Sequence, residues 1–378
     1  MTRVAIIHDW LVTWAGAEKA LAEILCLYPQ ADIYTLVNFL SAADAKHLKN
    51  HKIHTSIIQK LPLAKRHYRT YLPLMPLAVE QFDLSEYDLV ISSSHAVAKG
   101  VITGPETQHI CYCYTPMRYA WDLQHEYLKE TRPNIIKSLI QRWLLHRLRQ
   151  WDLAASHRVD EYLAISKHIA RRIQKHYRRK ATVIYPPVDT EHLTQQPLQP
   201  KQDFYLAASR LVPYKRIQLI AEAFAQMPDK QLLIIGSGPE QKNLQQHLKR
   251  QQQQGQTNVS YLGYQTDQQL HQYLATAKAY IFCAEEDFGI LPVEAQALGT
   301  PVIALGKGGA LETIKANETG LFFKEASTTA IQAALHSFES QNWSAQACRE
   351  HSQKFSKQQF LNALKKHIKN LEQQQDML

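Results

Sequence analysis

Glu286 and Glu294 stand eight residues apart in the stretch AYIFCAEEDFGILPVEAQALGTPVIALGKGGALE, which runs from Ala279 to Glu312. A carboxylate accepts two hydrogen bonds in a fixed fork, so the pair suits the hydroxyls of a sugar or a ribose. Two acids at this spacing also fit a plainer role, complementing a helix dipole. Arg210 and Lys215 add the opposite charge in the segment Ser209 to Arg216. They flank a strand-to-helix turn, where a guanidinium and an ammonium can both reach a diphosphate.

The elements that must position these groups are legible around them. Ala279 to Cys283 is an apolar run of the length of a buried parallel strand. Phe288-Gly289-Ile290 predicts a turn, Pro292 a first helical position, and Gly299 the end of a helix over 291–298. Unpaired N–H groups at the start of that helix would face anything anionic. A second strand, Pro301 to Leu305, closes on Gly306-Lys307-Gly308-Gly309, a loop that another molecule could approach closely. This is a βαβ crossover with both charged turns at one edge of a sheet, where open α/β sheets bind ligands.

The same alternation covers most of the chain. Val4 to Ile7 predicts a strand that ends in His8-Asp9-Trp10, followed by a loop with Gly16 and an amphipathic helix over 18–27. Strands are expected at 31–37, 88–92 (leading into Ser93-Ser94-His95), 109–113 (leading into YTPMRYAWD) and 181–185, with helical patterns filling 134–180. Residues 187–203, rich in proline and glutamine, read as a linker. Strands at 204–208, 232–235 and 259–262 and a helix over 267–277 precede the opening stretch. Gly236-Ser237-Gly238 reads as a tight turn with a structural role. The chain of 378 residues therefore divides into domains at 1–186 and 204–355, followed by a basic, glutamine-rich helix from about 356.

Five cysteines without a C-x-x-C pair suit reduced, buried thiols. No window of eighteen apolar residues occurs and the N-terminus lacks a signal-peptide layout, so a cytoplasmic location is expected. The net charge of +9 lies wholly before residue 187, where 25 Lys and Arg face 16 Asp and Glu. Thirteen of those bases fall between Arg132 and Lys180. Such asymmetry points to a polyanion or an anionic membrane surface, and a solvated helix face explains it equally. Lys60 to Ala78 mixes bases, aromatics and prolines, which suits a membrane interface or an ordinary surface loop.

With its E-x7-E spacing, F-G-I turn, G-T-P-V-I strand and G-G-x-x-E loop, the stretch 279–312 resembles the donor-nucleotide site of family 4 glycosyltransferases. The segments S-S-S-H-A-V-A-K-G and T-P-M-R-Y-A-W-D are similar to one subgroup, bacterial enzymes resembling O-antigen mannosyltransferases. The resemblance runs from residue 1 to about 355, and it implies that the C-terminal helix, 356–378, packs back on the first domain. It implies an α/β chain of two Rossmann-like domains facing across a cleft (GT-B). The activity implied is retaining transfer of a hexose, GDP-mannose being the favoured donor, to a glycan or lipid-linked acceptor in surface polysaccharide synthesis. That work is expected at the inner face of the plasma membrane.

The resemblance also implies site residues. Arg210 and Lys215 take the diphosphate, Glu286 the sugar and Glu294 the ribose. Gly16, Phe288, Gly289, Ile290 and Leu291 complete the donor site, and Asp9, His95 and Arg118 lie on the acceptor side. There are departures. Ala15-Gly16 stands where the family carries Gly-Gly, Ile165 where it has Asn, and Tyr114 where a His precedes T-P-M-R-Y. The Tyr114 hydroxyl is expected to take over the histidine's contact with the donor, so that Tyr114→Phe would cut turnover by one to two orders of magnitude. Neither a cofactor nor a metal is expected, since no D-x-D occurs. A nucleotide-sugar epimerase or hydrolase on the same fold is the alternative, and a non-catalytic polyanion-binding protein a weaker one. Nucleic acid is not an expected partner, because no binding signature for it appears.

Overall fold

Almost every short apolar run becomes a parallel strand. The computed structural model describes residues 2–124, 128 and 135–375. The chain forms two units, residues 1–186 with 361–378, and residues 187–360.

In the first unit the strands are β1 (Val4–His8), β2 (Asp32–Thr35), β3 (Ile53–Thr55), β4 (Leu89–Ser94), β5 (Gln108–Cys113), β6 (Glu161–Ala164) and β7 (Thr182–Val183). Among the described residues they make one sheet in the order β3-β2-β1-β4-β5-β6-β7. Every residue of β1 and β4 is buried, which is why Val4–Ile7 and Leu89–Ile91 read as continuous rather than alternating apolar runs. Chain order reverses between β1 and β4, and their C-terminal ends deliver Asp9 and His95 side by side.

The second unit holds β8 (Tyr205–Ala208), β9 (Leu232–Ile235), β10 (Val259–Gly263), β11 (Tyr280–Phe282), β12 (Val302–Leu305) and β13 (Gly320–Phe323). Their order is β10-β9-β8-β11-β12-β13, again parallel. Tyr205, Ala207, Ile281 and Ile303 pack on one face of the sheet. Leu206, Ala208, Tyr280, Phe282 and Ala304 pack on the other. The reversal here falls between β8 and β11. Arg210 and Lys215 follow the one strand and Glu286 the other.

The structure differs from the sequence reading in several places. Strands β3, β6 and β13 were not expected, and β6 interrupts the helical stretch over 134–180, leaving helices Ile135–Ser156 and Lys167–Tyr177. The linker expected at 187–203 carries a helix, Thr190–Gln195, whose Leu193 is buried in the second unit's core. The last helix, Lys357–Gln375, starts in the second unit, and its residues from Leu361 belong to the first. Among the described residues no helix is long and apolar enough to cross a membrane.

Helix Ile135–Ser156 is fastened to the first unit by a buried charge. Asp152 is fully buried and accepts from the Lys99 ammonium, from Trp121 Nε1 at 2.8 Å and from the Tyr177 hydroxyl at 2.8 Å. Burial alone would depress the Lys99 ammonium, yet the touching Asp152 carboxylate holds it above the usual lysine range.

Candidate active site

In the second unit the ammonium of Lys215 forms an ion pair with the carboxylate of Glu286. Both side chains are more than four-fifths buried. Lys215 reaches this position because Pro213–Lys215 forms a single 3-10 turn after β8. Arg216, which follows in the left-handed region at φ 52°, donates from Nη1 to the Cys283 carbonyl at 3.0 Å. That bond ties the loop after β8 to the end of β11. Arg210 is exposed on the same loop. Behind it, a Cβ at Gly236 (φ 139°) would overlap the Ser209 carbonyl, and Leu211 N–H donates to Ser237 O at 2.9 Å. The G-x-G loop therefore supports the arginine's loop from below.

The turn after β11 is gripped in a similar way. Gly309 N–H donates to the Glu286 carbonyl at 2.7 Å, and a Cβ on Gly308 (φ 62°) would overlap that same carbonyl. Gly308 and Gly309 are thus needed where this loop packs against the turn after β11. Helix Ile290–Ala297 begins one residue earlier than predicted, capped by Gly289 at φ 91°. Glu294 lies on it, with His271 Nε2 from helix Asp267–Thr276 3.7 Å from its Oε2. Phe288 is buried with its ring 5.5 Å from Phe355, so any part it plays toward a ligand comes from its backbone. Leu291 is likewise packed, partly buried, against the core.

In the first unit Asp9 is fully buried, and its two oxygens accept four backbone N–H groups. His95 and Ala96 donate to Oδ2 at 2.6 and 3.0 Å, and Val97 and Ala98 to Oδ1 at 2.7 Å each. His95 Nδ1 adds a contact at 3.1 Å. Burial alone would raise this carboxyl, but His95 and the N–H donors outweigh it and hold it below the usual range. Asp9, expected beside the acceptor, instead shapes the loop that carries His95. His95 is only part-buried, and desolvation keeps its ring below the ordinary histidine value. Arg118 is half-buried in the turn after β5.

Tyr114 ends a short relay. Its hydroxyl donates to the Ala17 carbonyl at 3.0 Å and lies 3.0 Å from Ser93 Oγ. Since the carbonyl can only accept, Ser93 donates to Tyr114 and accepts from His8 Nδ1 at 3.0 Å. Glu18 Oε1 lies 3.6 Å from His8 Nε2, while Oε2 accepts Ala15 N–H at 3.0 Å at the start of helix Gly16–Leu27.

Residues 15–192 match Glycosyltransferase Family 4, and residues 188–358 match Glycosyl transferases group 1. The chain is a GT-B glycosyltransferase. A GDP-mannose-dependent monoacylated α-(1-6)-phosphatidylinositol monomannoside mannosyltransferase of Corynebacterium glutamicum is 38% identical over 118 residues, 28% of this chain and 30% of that protein. An α-1,3/1,6-mannosyltransferase of Saccharomyces cerevisiae is 25% identical over 252 residues, 55% of this chain and 48% of its own. The matched segments thus span less than half of either relative. HepE of Anabaena, solved with UDP and glucose, matches with a TM-score of 0.64 at 17% identity, covering 98% of this chain and 100% of its own. A lipopolysaccharide outer core galactosyltransferase matches at 0.67 and 16%, covering 97% and 99%. At these identities the two structures speak for the fold.

Within each unit of this glycosyltransferase the structure gathers the sequence-predicted residues at one sheet edge: Arg210, Lys215 and Glu286 in the second, Asp9, His95 and Tyr114 in the first. Arg216 and His271 escaped sequence reading. Arg216 sits in the quoted S-R-L-V-P-Y-K-R segment, but its partner is a backbone carbonyl 67 residues away. His271 lies on an ordinary polar helix face, without any motif.

Two expected results arise here. Asn at position 9 offers one oxygen where the carboxylate offers two and turns an amide toward N–H groups, so Asp9→Asn should cost about 2–4 kcal/mol of stability by thermal unfolding. Because the folded pKa is depressed, the Asp9 contribution is present above about pH 4 and is lost as pH falls through the folded value. Tyr114→Phe should lower stability by about 1 kcal/mol and turnover by less than about tenfold. That is a smaller effect than expected from the sequence, since the hydroxyl is spent on Ala17 and Ser93. A loss near a hundredfold with unchanged melting would show that the hydroxyl swings to the donor.

Proposed function

We propose that this glycosyltransferase moves a mannosyl group from GDP-mannose, with retention of configuration, to a hydroxyl of a glycan or lipid-linked acceptor of surface polysaccharide. The observation that carries this is the Lys215–Glu286 pair, set between the switch-point strands β8 and β11 beside the start of helix Ile290–Ala297. A leaving nucleoside diphosphate gathers negative charge as the glycosidic bond breaks. Cations and N–H groups fixed in advance stabilise that charge most. Lys215 takes the diphosphate and releases Glu286 to the sugar hydroxyls, while Arg210 adds charge from its exposed loop. Glu294, with His271 behind it, holds the ribose. Mannose is favoured because one relative's name specifies GDP-mannose and another's mannosyl transfer. Gly16 opens helix Gly16–Leu27, whose first backbone N–H groups suit an anionic group.

The test is incubation of the purified protein with labelled GDP-mannose, with and without a lipid-linked glycan fraction. Label should enter the acceptor fraction, with an α linkage by NMR, and excess EDTA should leave the rate intact. Free mannose or a new nucleotide sugar without acceptor would mark a hydrolase or an epimerase and overturn the transferase reading.

A further inference from the structure

Five of the largest exposed apolar side chains of the chain fall within nine residues: Ile135, Ile136, Leu139, Ile140 and Trp143, each between 52% and 81% exposed. They occupy the first turns of helix Ile135–Ser156, at spacings of one, four, five and eight from Ile135, and so share one face. The second half of the helix behaves differently. Leu148, Asp152 and Ala155 are buried there, and the outward face turns polar at His146, Arg147 and Gln150. The helix is therefore anchored by its C-terminal half, and its N-terminal half offers an apolar stripe to the outside. Exposed bases border the stripe: Lys137, Arg142, His146 and Arg147. No acid occurs between Ile135 and Gln150. Neither catalysis nor the core uses these residues.

We propose that this stripe inserts into the surface of an anionic lipid bilayer, with the flanking bases on the headgroups. Charge favours that occupant. The excess of +9 lies in the same part of the chain, and a helix with large apolar residues on one face and bases beside them lies in the interface plane. A tryptophan within the stripe suits a membrane–water interface. Such a helix embeds without spanning. The surface is smaller than the whole basic stretch suggested by sequence, of which residues 132–134 lie outside those described. It stands independently of the transferase reading, because binding requires neither donor nor acceptor.

The test is flotation of the full-length protein with phosphatidylglycerol-containing vesicles and with phosphatidylcholine alone. The wild type should float with the anionic vesicles at low salt and much less towards about 0.5 M, where screening shortens to a few ångströms. Ile136→Glu, Ile140→Glu and Trp143→Glu combined should lower partition by about a hundredfold or more, with unchanged melting, since the stripe supports little of the fold. Lys137→Gln, Arg142→Gln and Arg147→Gln should each lower it by about fivefold. A triple variant that floats as the wild type does, or a wild type that never floats, overturns the proposal. So does a wild type that sediments as a dimer, becomes monomeric in the triple variant and ignores vesicles, since the stripe would then be a protein interface.

Discussion

Replacing Lys215 by alanine should lower kcat/KM for sugar transfer by about three orders of magnitude, or about 4 kcal/mol of transition-state stabilisation. In the proposed reaction the side chain supplies positive charge where the leaving diphosphate develops negative charge. Its loss also leaves Glu286, largely buried, facing the diphosphate without a counter-ion. Both effects act in the same direction. Glu286→Gln separates them. It frees Lys215, so GDP should bind several-fold more tightly while turnover still falls, because the sugar loses its carboxylate. Arg210→Ala, at an exposed position, should cost less, about tenfold to a hundredfold. Steady-state kinetics with calorimetric GDP affinities measures all three. Near-wild-type turnover in Lys215→Ala would remove the clamp from the mechanism.

The second large effect is on folding. Asp152→Ala should destabilise the first unit by about 3–5 kcal/mol, because it strands the buried Lys99 ammonium and leaves Trp121 Nε1 and the Tyr177 hydroxyl without their acceptor. For a unit of this size that is a fall in Tm of roughly 10 °C. Lys99→Met with Asp152→Leu should cost much less than either change alone, since no uncompensated charge then remains inside. Thermal and urea unfolding decide it. An Asp152→Ala protein within about 1 kcal/mol of the wild type would mean that water or rearrangement satisfies Lys99.

These two pairs mark what a sequence can and cannot disclose. The strands that carry the site were legible because parallel strands buried on both faces carry continuous apolar runs, as Val4–Ile7 and Val302–Leu305 do. Strand β6 was not, because Glu161 opens it and basic helices flank it on both sides. The types of the clamp residues were visible as well. Their arrangement was not. Lys215 meets Glu286 71 positions on, and Asp9 takes its N–H donors 86 to 89 positions on, distances over which local spacing carries no information. The glycines are ambiguous for a related reason. A residue without a Cβ permits close approach by any backbone, and at Gly308 and Gly309 the approaching backbone belongs to the same chain.

Calorimetric titration of GDP-mannose into the wild type and into Lys215→Ala, with UDP-glucose and ADP-glucose as comparators, tests the donor site most directly. The expected result is saturable binding of GDP-mannose by the wild type, weaker binding of the other two, and at least a tenfold loss of affinity in Lys215→Ala, about 1.4 kcal/mol. Equal affinity in the two proteins, or no binding of any nucleotide sugar by the wild type, would contradict the site assigned here.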